Sequence, residues 1–525
     1  MTVLTPVRQR TLLFVRLRSF AGWLFPAALS AFVIARTTFI AGQRLMWTDE
    51  LLSWYPLSGS FGSMLRATAD TINTAPPFYF VVGWIWVAIF GNSAVSVRLF
   101  SAIAIAAAIM IMFAVLRRSY GALAAGLALA VVLTDPFLLV QSAQARFHAL
   151  FVAEVALAIL LYQRLATHPR PPRRLLILNG IVHGSMMMTT YVAPLYSLAL
   201  LAAMLLVSWM RGYDPKPACL SIAAGWLVFL PWLPVFSRHL RMGEPSSWVN
   251  VPEPSELWRY FEGYLTYEFW IGTVVFAGLA GLSSVLALIY GGRWRRLGPR
   301  RREKPLLILA LLLAAVPFVL YLWSRQRGHA SIFLERYMLP TLLGWAILLA
   351  HLAHRALLPR HDPRRRWLTR GLVYLQAIAA TAFIGHGVWK GTHDFLFVTK
   401  QEQPPEILAR IPAHHPLVVE HIHDFLQWHF YSPQRSRYLF IIDVKAGIQE
   451  GGGGPLNHRI MAALKRRFPD QFAEAIPTGE FLATASDFSV RPSSGCQWLP
   501  LRLEHNPNFV IERMSDDLWH VRRAP

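Results

Sequence analysis

Two carboxylates, Asp49 and Glu50, stand side by side in the stretch RLMWTDELLSWYPL (44–57), directly after the first long apolar segment of the chain. A carboxylate held beside a reacting group can take its proton. One in the first turn of a helix can instead oppose the helix dipole, and Thr48 as N-cap with Asp49 and Glu50 following predicts such a start. The two roles are compatible, because a cap would hold the acids in place. Three further polar constellations interrupt the apolar background: NTAPPFY (73–79), QSAQARFHAL (141–150) and LERYMLP (334–340). Polar groups near the ends of membrane spans are costly unless they serve fold or function. Plain roles exist for these as well. Pro76–Pro77 suits a helix start, Arg98 suits an interfacial anchor, and Arg146 and Arg336 can reach lipid headgroups.

The elements that must position these groups are membrane helices. The chain is 54% hydrophobic and 15% charged, against about a quarter charged in soluble domains. Runs such as LFSAIAIAAAIMIMFAVL and LLILALLLAAVPFVLYLW approach the roughly 20 residues that a helix needs to cross a bilayer. A porin-like barrel would show short alternating strands instead. The sequence predicts a polytopic α-helical membrane protein with a small C-terminal α/β domain outside the membrane. The formal charge of +22 does not point to nucleic acid here, because the arginines cluster between apolar runs as cytoplasmic loops do. The basic N-terminus has no small-residue cleavage site and reads as a retained first span. Cys219 opens an apolar span and Cys496 lies in the polar tail, so no disulfide is expected between them.

Eleven spans are expected, at about 20–41, 95–116, 121–140, 146–164, 175–190, 193–210, 218–236, 270–290, 305–323, 335–354 and 371–390. With this set every basic cluster, from Arg8–Arg18 to the run at 354–370, falls on one face. The parity requires the apolar segment 75–91 not to cross, and it is short for a crossing; its Trp84 and Trp86 suit an interfacial helix. This divides the chain into a transmembrane domain, 1–390, with a large first external loop, 42–94, and an external tail, 391–525. In the tail PLVVEH and RYLFIID read as strands, and ILARI and IMAALKRRF as short amphipathic helices. Its six histidines between 393 and 429 are irregularly spaced apart from His421-x-His423, so no metal site is assigned from them and a solvated surface is expected.

The ordered motifs resemble those of the GT-C membrane glycosyltransferases, in the branch of protein O-mannosyltransferases and bacterial lipid A aminoarabinose transferases. The resemblance rests on an acidic pair soon after the first span, on Pro-Pro-x-Tyr (Pro76, Pro77, Tyr79), and on GNSAVSVRLFS (91–101). It rests also on SAQARFH (142–148), similar to the family's S-x-E-A-R-x-Y, and on RYMLP (336–340). It covers roughly residues 20–390. A polyprenyl-phosphate-linked sugar is then implied as donor, and a hydroxyl of a lipid, polysaccharide or protein as acceptor, on the periplasmic face of a bacterial inner membrane. Asp49 matches the family's catalytic acid position and would take the hydroxyl's proton in a single inverting displacement, with Glu50 in support. Arg146 and Arg336 would hold the leaving phosphate, and Tyr337 would add a hydrogen bond. Pro76, Pro77, Tyr79, Gln144 and His148 would line the site.

Three positions depart from the family pattern. Ala75 stands where His or Lys often precedes Pro-Pro, Gln144 replaces an acidic residue, and His148 replaces Tyr. Gln144 leaves a divalent-cation requirement open, and no metal ligands are assigned. No Walker-type or GxGxxG loop is present, so no nucleotide cofactor is expected. The alternative is a transporter or flippase of a lipid-linked intermediate, although no internal repeat of the kind transporters carry is found.

Overall fold

The structure, a computed structural model, describes residues 6–244, 249–263, 302–326, 331–357, 385, 407–450, 454–492 and 498–525. The first helices are α1 (Pro6–Ala41), α2 (Thr48–Leu57), α3 (Phe61–Ala69), α4 (Phe78–Phe90), α5 (Ala94–Tyr120), α6 (Ala122–Val132) and α7 (Pro136–Ser142). Then come α8 (Phe147–Leu165), α9 (Arg173–Met187), α10 (Ala193–Arg211), α11 (Lys216–Leu227) and α12 (Leu233–Leu240). Among the described residues six helical stretches are long and apolar enough to cross a membrane: Gly22–Ala41, α5, α8, α10, Lys216–Leu240 and Lys304–Ser324. The pair α6 and α7, bent by 82°, makes a seventh if it is one span. The chain is a multi-pass membrane protein.

Two expected spans, 270–290 and, apart from residue 385, 371–390, lie outside the described residues. The 175–190 segment forms the 15-residue α9. The 335–354 segment is divided into Glu335–Met338 and Thr341–Leu357. The 75–91 segment forms α4, 13 residues long, about 20 Å at 1.5 Å per residue, which is short of the roughly 30 Å hydrocarbon core.

Small residues set the close packing, as lipid offers no hydrophobic drive between helices. Ala102, Ala108, Ala124, Ala125 and Ala128 are buried in one core with Met112, Phe113 and Val155. At the α9–α11 crossing a Cβ on Gly180 would lie 2.9 Å from the Ser221 carbonyl oxygen, so the backbones meet only because the side chain is missing. The α6–α7 bend has a local cause. Asp135 caps α7 by accepting from the Leu138 amide at 2.8 Å, with Pro136 as the first helical residue. The bend carries Gln141–Arg146 toward the end of the bundle where α1 finishes and α5 and α8 begin. Arg117, Arg118, Arg164 and Arg211 close the opposite ends of α5, α8 and α10.

The tail folds on one six-stranded sheet, made of β1 (Leu417–Val419), β2 (Tyr438–Ile442), β3 (Ala475–Pro477), β4 (Asp487–Arg491), β5 (Phe509–Ser515) and β6 (Leu518–Arg523). Its order is β3-β2-β1-β4-β6-β5, parallel from β3 to β4 and antiparallel beyond. The expected strands in PLVVEH and RYLFIID are β1 and β2, and IMAALKRRF lies in the helix Gly454–Arg467. Of ILARI, Ile407 and Leu408 are helical and a turn follows.

The sheet domain docks on residues 42–94. Arg466 and Arg467 both grip the buried Asp70 carboxylate, each at 2.7 Å. Tyr55 of α2 packs edge-on to Phe472 at 4.8 Å between ring centroids, and Trp54 to Phe430 at 4.8 Å.

Candidate active site

The N-terminal turn of α2 decides where both acids point. Its cap is Trp47, and Thr48 is the first helical residue, one position earlier than the sequence predicts. The cap hydrogen bond comes from the far side: the Glu50 carboxylate accepts from the Trp47 amide at 3.2 Å. A side chain three residues into the helix therefore replaces the hydroxyl expected from Thr48.

Glu50 turns inward and is 1% exposed. It takes a fork from Arg98, Nε to Oε1 at 2.7 Å and Nη2 to Oε2 at 2.6 Å, and a further bond from the Ala145 amide at 2.9 Å. Arg98 uses its remaining donors on the carbonyls of Ala41 (3.2 Å), Arg44 (2.9 Å) and Leu45 (3.0 Å). All five N–H groups of a guanidinium are thus engaged. This buried pair staples the turn between α1 and α2 to α5 and to the segment before α8. Arg98 is a stapling residue and not the interfacial anchor that its place at the start of a span suggests.

Asp49 turns the other way, into a partly open space, with 19% of its side chain exposed. Its Oδ2 accepts from Arg336 Nη1 at 2.9 Å and lies 3.5 Å from Arg146 Nη2. Burial raises its carboxyl, and Arg146, Arg336 and His423 outweigh that and hold it below its ordinary value. Arg146, at the cap of α8, also donates to the Asp49 carbonyl (3.0 Å), Ser53 Oγ (3.3 Å) and Asn73 Oδ1 (3.1 Å). All four constellations meet directly on these two arginines.

The other expected residues surround them. Pro77 caps α4, and the Phe78 amide bonds to the Met188 carbonyl at 2.8 Å, which ties this helix to the end of α9. Tyr79 is buried with Ala75, Phe80 and Phe147. Tyr337 lies under the Arg336 guanidinium, 5.8 Å from its carbon, and its carbonyl accepts from Tyr196 at 2.8 Å. The His148 ring is 6.0 Å from that of Tyr337. Gln144 bonds through its backbone, accepting from Ser101 at 2.5 Å. Among the described residues three buried polar atoms here, Gln144 Oε1, Arg146 Nε and His148 Nε2, have no hydrogen-bond partner. Buried polar atoms are rarely left so.

Four contributors were not assigned to the site from sequence. Ser53 lies one helical turn after Asp49, and Asn73 opens NTAPPFY; their spacing was the available signal. Arg98 has been described. The fourth, His423, comes from the tail. In the helix Ile422–Tyr431, residues 423, 427 and 431 form one stripe at helical spacing. Tyr431 Oη accepts from the Met46 amide at 2.8 Å and Gln427 donates to the Met46 carbonyl at 3.3 Å. The stripe so anchored carries His423 to where its charge is felt at Asp49.

Comparison with known proteins bears on the fold. Residues 74–234 match the family described as dolichyl-phosphate-mannose-protein mannosyltransferase. ArnT from Cupriavidus metallidurans in the apo state aligns with a TM-score of 0.56 at 14% identity, over 96% of this chain and 98% of that one. The same protein bound to undecaprenyl phosphate aligns at 0.54 and 15% identity, over 95% and 98%. The chain has the GT-C fold of ArnT. The alignment spans both the membrane helices and the tail sheet, so the tail belongs to the shared architecture, although the motif resemblance stopped at about residue 390. No curated protein sequence matches the chain.

Proposed function

We propose that this protein is a membrane glycosyltransferase that moves a sugar from a polyprenyl-phosphate donor to an acceptor hydroxyl, with inversion at the anomeric carbon. The observation that carries the reading is the Asp49 carboxylate held between Arg146 and Arg336, beside polar atoms that have no partner among the described residues. Such an arrangement is a phosphate site with an internal carboxylate in it. A donor phosphate would draw both guanidinia to itself, as bidentate charge-assisted bonds favour. Asp49 would lose the charges that depress its carboxyl and become a better base where the acceptor arrives. The site then arms its base only when the donor is bound. His148, Gln144 and Tyr337 supply polar contacts, and Pro76, Pro77 and Tyr79 form the wall from which α4 starts.

The polyprenyl tail would lie along the membrane helices, in the hydrocarbon they cross; the chemistry belongs at Asp49. Glu50 supports Asp49 by fixing the turn that presents it. The arginines that end α5, α8 and α10 at the opposite side support a cytoplasmic N-terminus in a bacterial inner membrane. The site and the tail, residues 391–525, then face the periplasm, and residues 1–390 form the membrane domain. The tail reaches the loop 42–94 and is placed to present the acceptor.

Mass spectrometry of envelope glycans tests this in three strains, carrying the native protein, Asp49→Asn, or none. One sugar mass lost equally from the mutant and the deletion is expected. Loss in the deletion with retention in Asp49→Asn removes Asp49 as base and favours movement of a lipid-linked intermediate instead.

A further inference from the structure

A second polar cluster lies in the tail sheet, formed by His415, Asp487 and His520, and the strand register builds it. β4 pairs β6 antiparallel with Ser489 opposite His520 and Asp487 opposite Arg522. Side chains alternate across a strand, so Asp487 and His520 share a face as diagonal neighbours. β1 pairs β4 in parallel with Leu417 opposite Ser489. The Ser489 amide bonds the Pro416 carbonyl at 2.9 Å, which continues that pairing toward Asp487 and sets His415 beside it. Arg437 fixes the approach to β1 by donating to the His415 carbonyl at 3.2 Å and to that of Pro412 at 2.7 Å.

Both imidazoles turn Nε2 to the one carboxylate. His415 Nε2 is 3.0 Å from Asp487 Oδ2, and His520 Nε2 is 2.6 Å from Oδ1. The donor atoms of the three residues all lie within 4.8 Å of one another. Bonds of about 2.0–2.2 Å at tetrahedral angles place ligand atoms about 3.3–3.5 Å apart. The three groups therefore need move only by tenths of an ångström to a little over an ångström to close on one ion. Among the described residues His415 Nδ1 has no partner, so nothing pins its proton, and Nε2 can be the bare nitrogen. The histidines are 6% and 17% exposed and Asp487 is 42% exposed, leaving a solvent side for a fourth ligand.

We propose that His415, Asp487 and His520 bind one divalent transition-metal ion, with Zn²⁺ the best match to two imidazoles and a carboxylate. The ion would lock the segment that leads into β1, which connects the membrane helices to the sheet, onto the antiparallel half formed by β4 and β6. It would be a structural centre of the tail, separate from the Asp49 site and independent of the proposed transferase activity.

The test uses the full-length protein in detergent, with any affinity tag removed and EDTA-stripped, then titrated with Zn²⁺ alone by calorimetry. Native protein is expected to bind one Zn²⁺ per chain at this site and to melt at higher temperature with Zn²⁺ than without. Asp487→Asn and His520→Gln keep side-chain size, and each should weaken that binding about a hundredfold or more and abolish the melting shift. His421→Gln/His423→Gln, which changes the other close pair of histidines in the tail, should leave it intact. Co²⁺ titration provides a readout independent of stability, since a tetrahedral site gives visible absorption that the two variants should lack. The proposal is overturned if native protein binds no Zn²⁺ more tightly than millimolar. It is equally overturned if Asp487→Asn and His520→Gln bind as the native chain does.

Discussion

Asp49 and Glu50 are neighbours in sequence and opposites in surroundings. Glu50 meets one arginine in the buried interior, with the fork of Arg98 closed on it and the Ala145 amide added. Asp49 meets two arginines at an opening, one at 2.9 Å and one at 3.5 Å, and among the described residues Arg146 Nε beside it has no partner. The first arrangement has nothing left to bind; the second can exchange its anion for another. A buried pair of the Glu50 kind is expensive to break from one side, whereas a semi-open pair can rearrange with a ligand. The difference separates a group that holds the fold from one that is free to react.

The sharpest way to break this comparison is to neutralise each acid in turn. Asp49→Asn should lower turnover about 10²–10⁴-fold, the range for removal of a general base, with a melting temperature within a degree or two of native. Loss of stability in place of activity would make Asp49 a second staple. Arg98→Ala should do the reverse. An unpaired Glu50 left in the interior should cost about 3–5 kcal/mol, read as a fall in melting temperature and in yield of folded protein. The double variant Glu50→Ala/Arg98→Ala should recover part of that loss, because no charge is stranded. A native-like Arg98→Ala would remove the stapling role.

Smaller effects sharpen the open pole. Arg336→Lys keeps the charge and loses the planar fork, so donor use should fall about ten- to a hundredfold, the worth of about 1.5–3 kcal/mol for a bond to a charged group. Arg146→Lys should cost more, since that side chain also holds Ser53 and Asn73. The assay is donor-dependent turnover in detergent at several donor concentrations. Equal activity of both variants and native protein would separate the arginines from the phosphate. Asp70→Asn should loosen the tail by about 1 kcal/mol, because Arg466 and Arg467 are themselves partly exposed and solvent-screened. Faster proteolysis between the membrane helices and the sheet is the expected sign; an unchanged rate would put the docking on Tyr55, Phe472 and their neighbours instead.

The sequence disclosed what stands out against lipid. Charged and amide side chains beside apolar runs are conspicuous, which is why the four constellations could be picked out, and a segment of 16 or so apolar residues is too short to cross. Pairing was hidden. Nothing in GNSAVSVRLFS tells a snorkelling arginine from one whose guanidinium folds back 48 positions to Glu50, because both begin at the end of a span. Thr48 looks like a cap by type, and only the inward turn of Glu50 gives the cap to Trp47. The tail was harder. Its strands were legible by apolar runs, but His415 and His520 meet only through strand register across more than a hundred residues, and His421-x-His423 is the more conspicuous pattern in sequence. The likeness to ArnT along nearly the whole chain also exceeds what motifs could show, because the tail carries none of them.

The smallest predicted effect concerns His423, which joins the tail to the open pole. Burial lowers its pKa, the neighbouring His421 lowers it further, and Asp49 and Asp424 pull it up without restoring it. It is therefore neutral at pH 7 and gains charge only as the pH falls through its depressed value. That charge, when it forms, acts on Asp49 in the same direction as Arg146 and Arg336 and keeps the carboxylate ionised further into acid. Replacing it by Gln removes that late support and nothing at neutral pH. His423→Gln should leave turnover at pH 7 within about twofold of native and move the acid limb of the donor-free enzyme, read in kcat/KM, to slightly higher pH. A shift to lower pH would mean that His423 does not act on Asp49 through its charge. A large loss at pH 7 would mean that His423 touches substrate directly, and the boundary between the two poles would then have to be redrawn to include the tail.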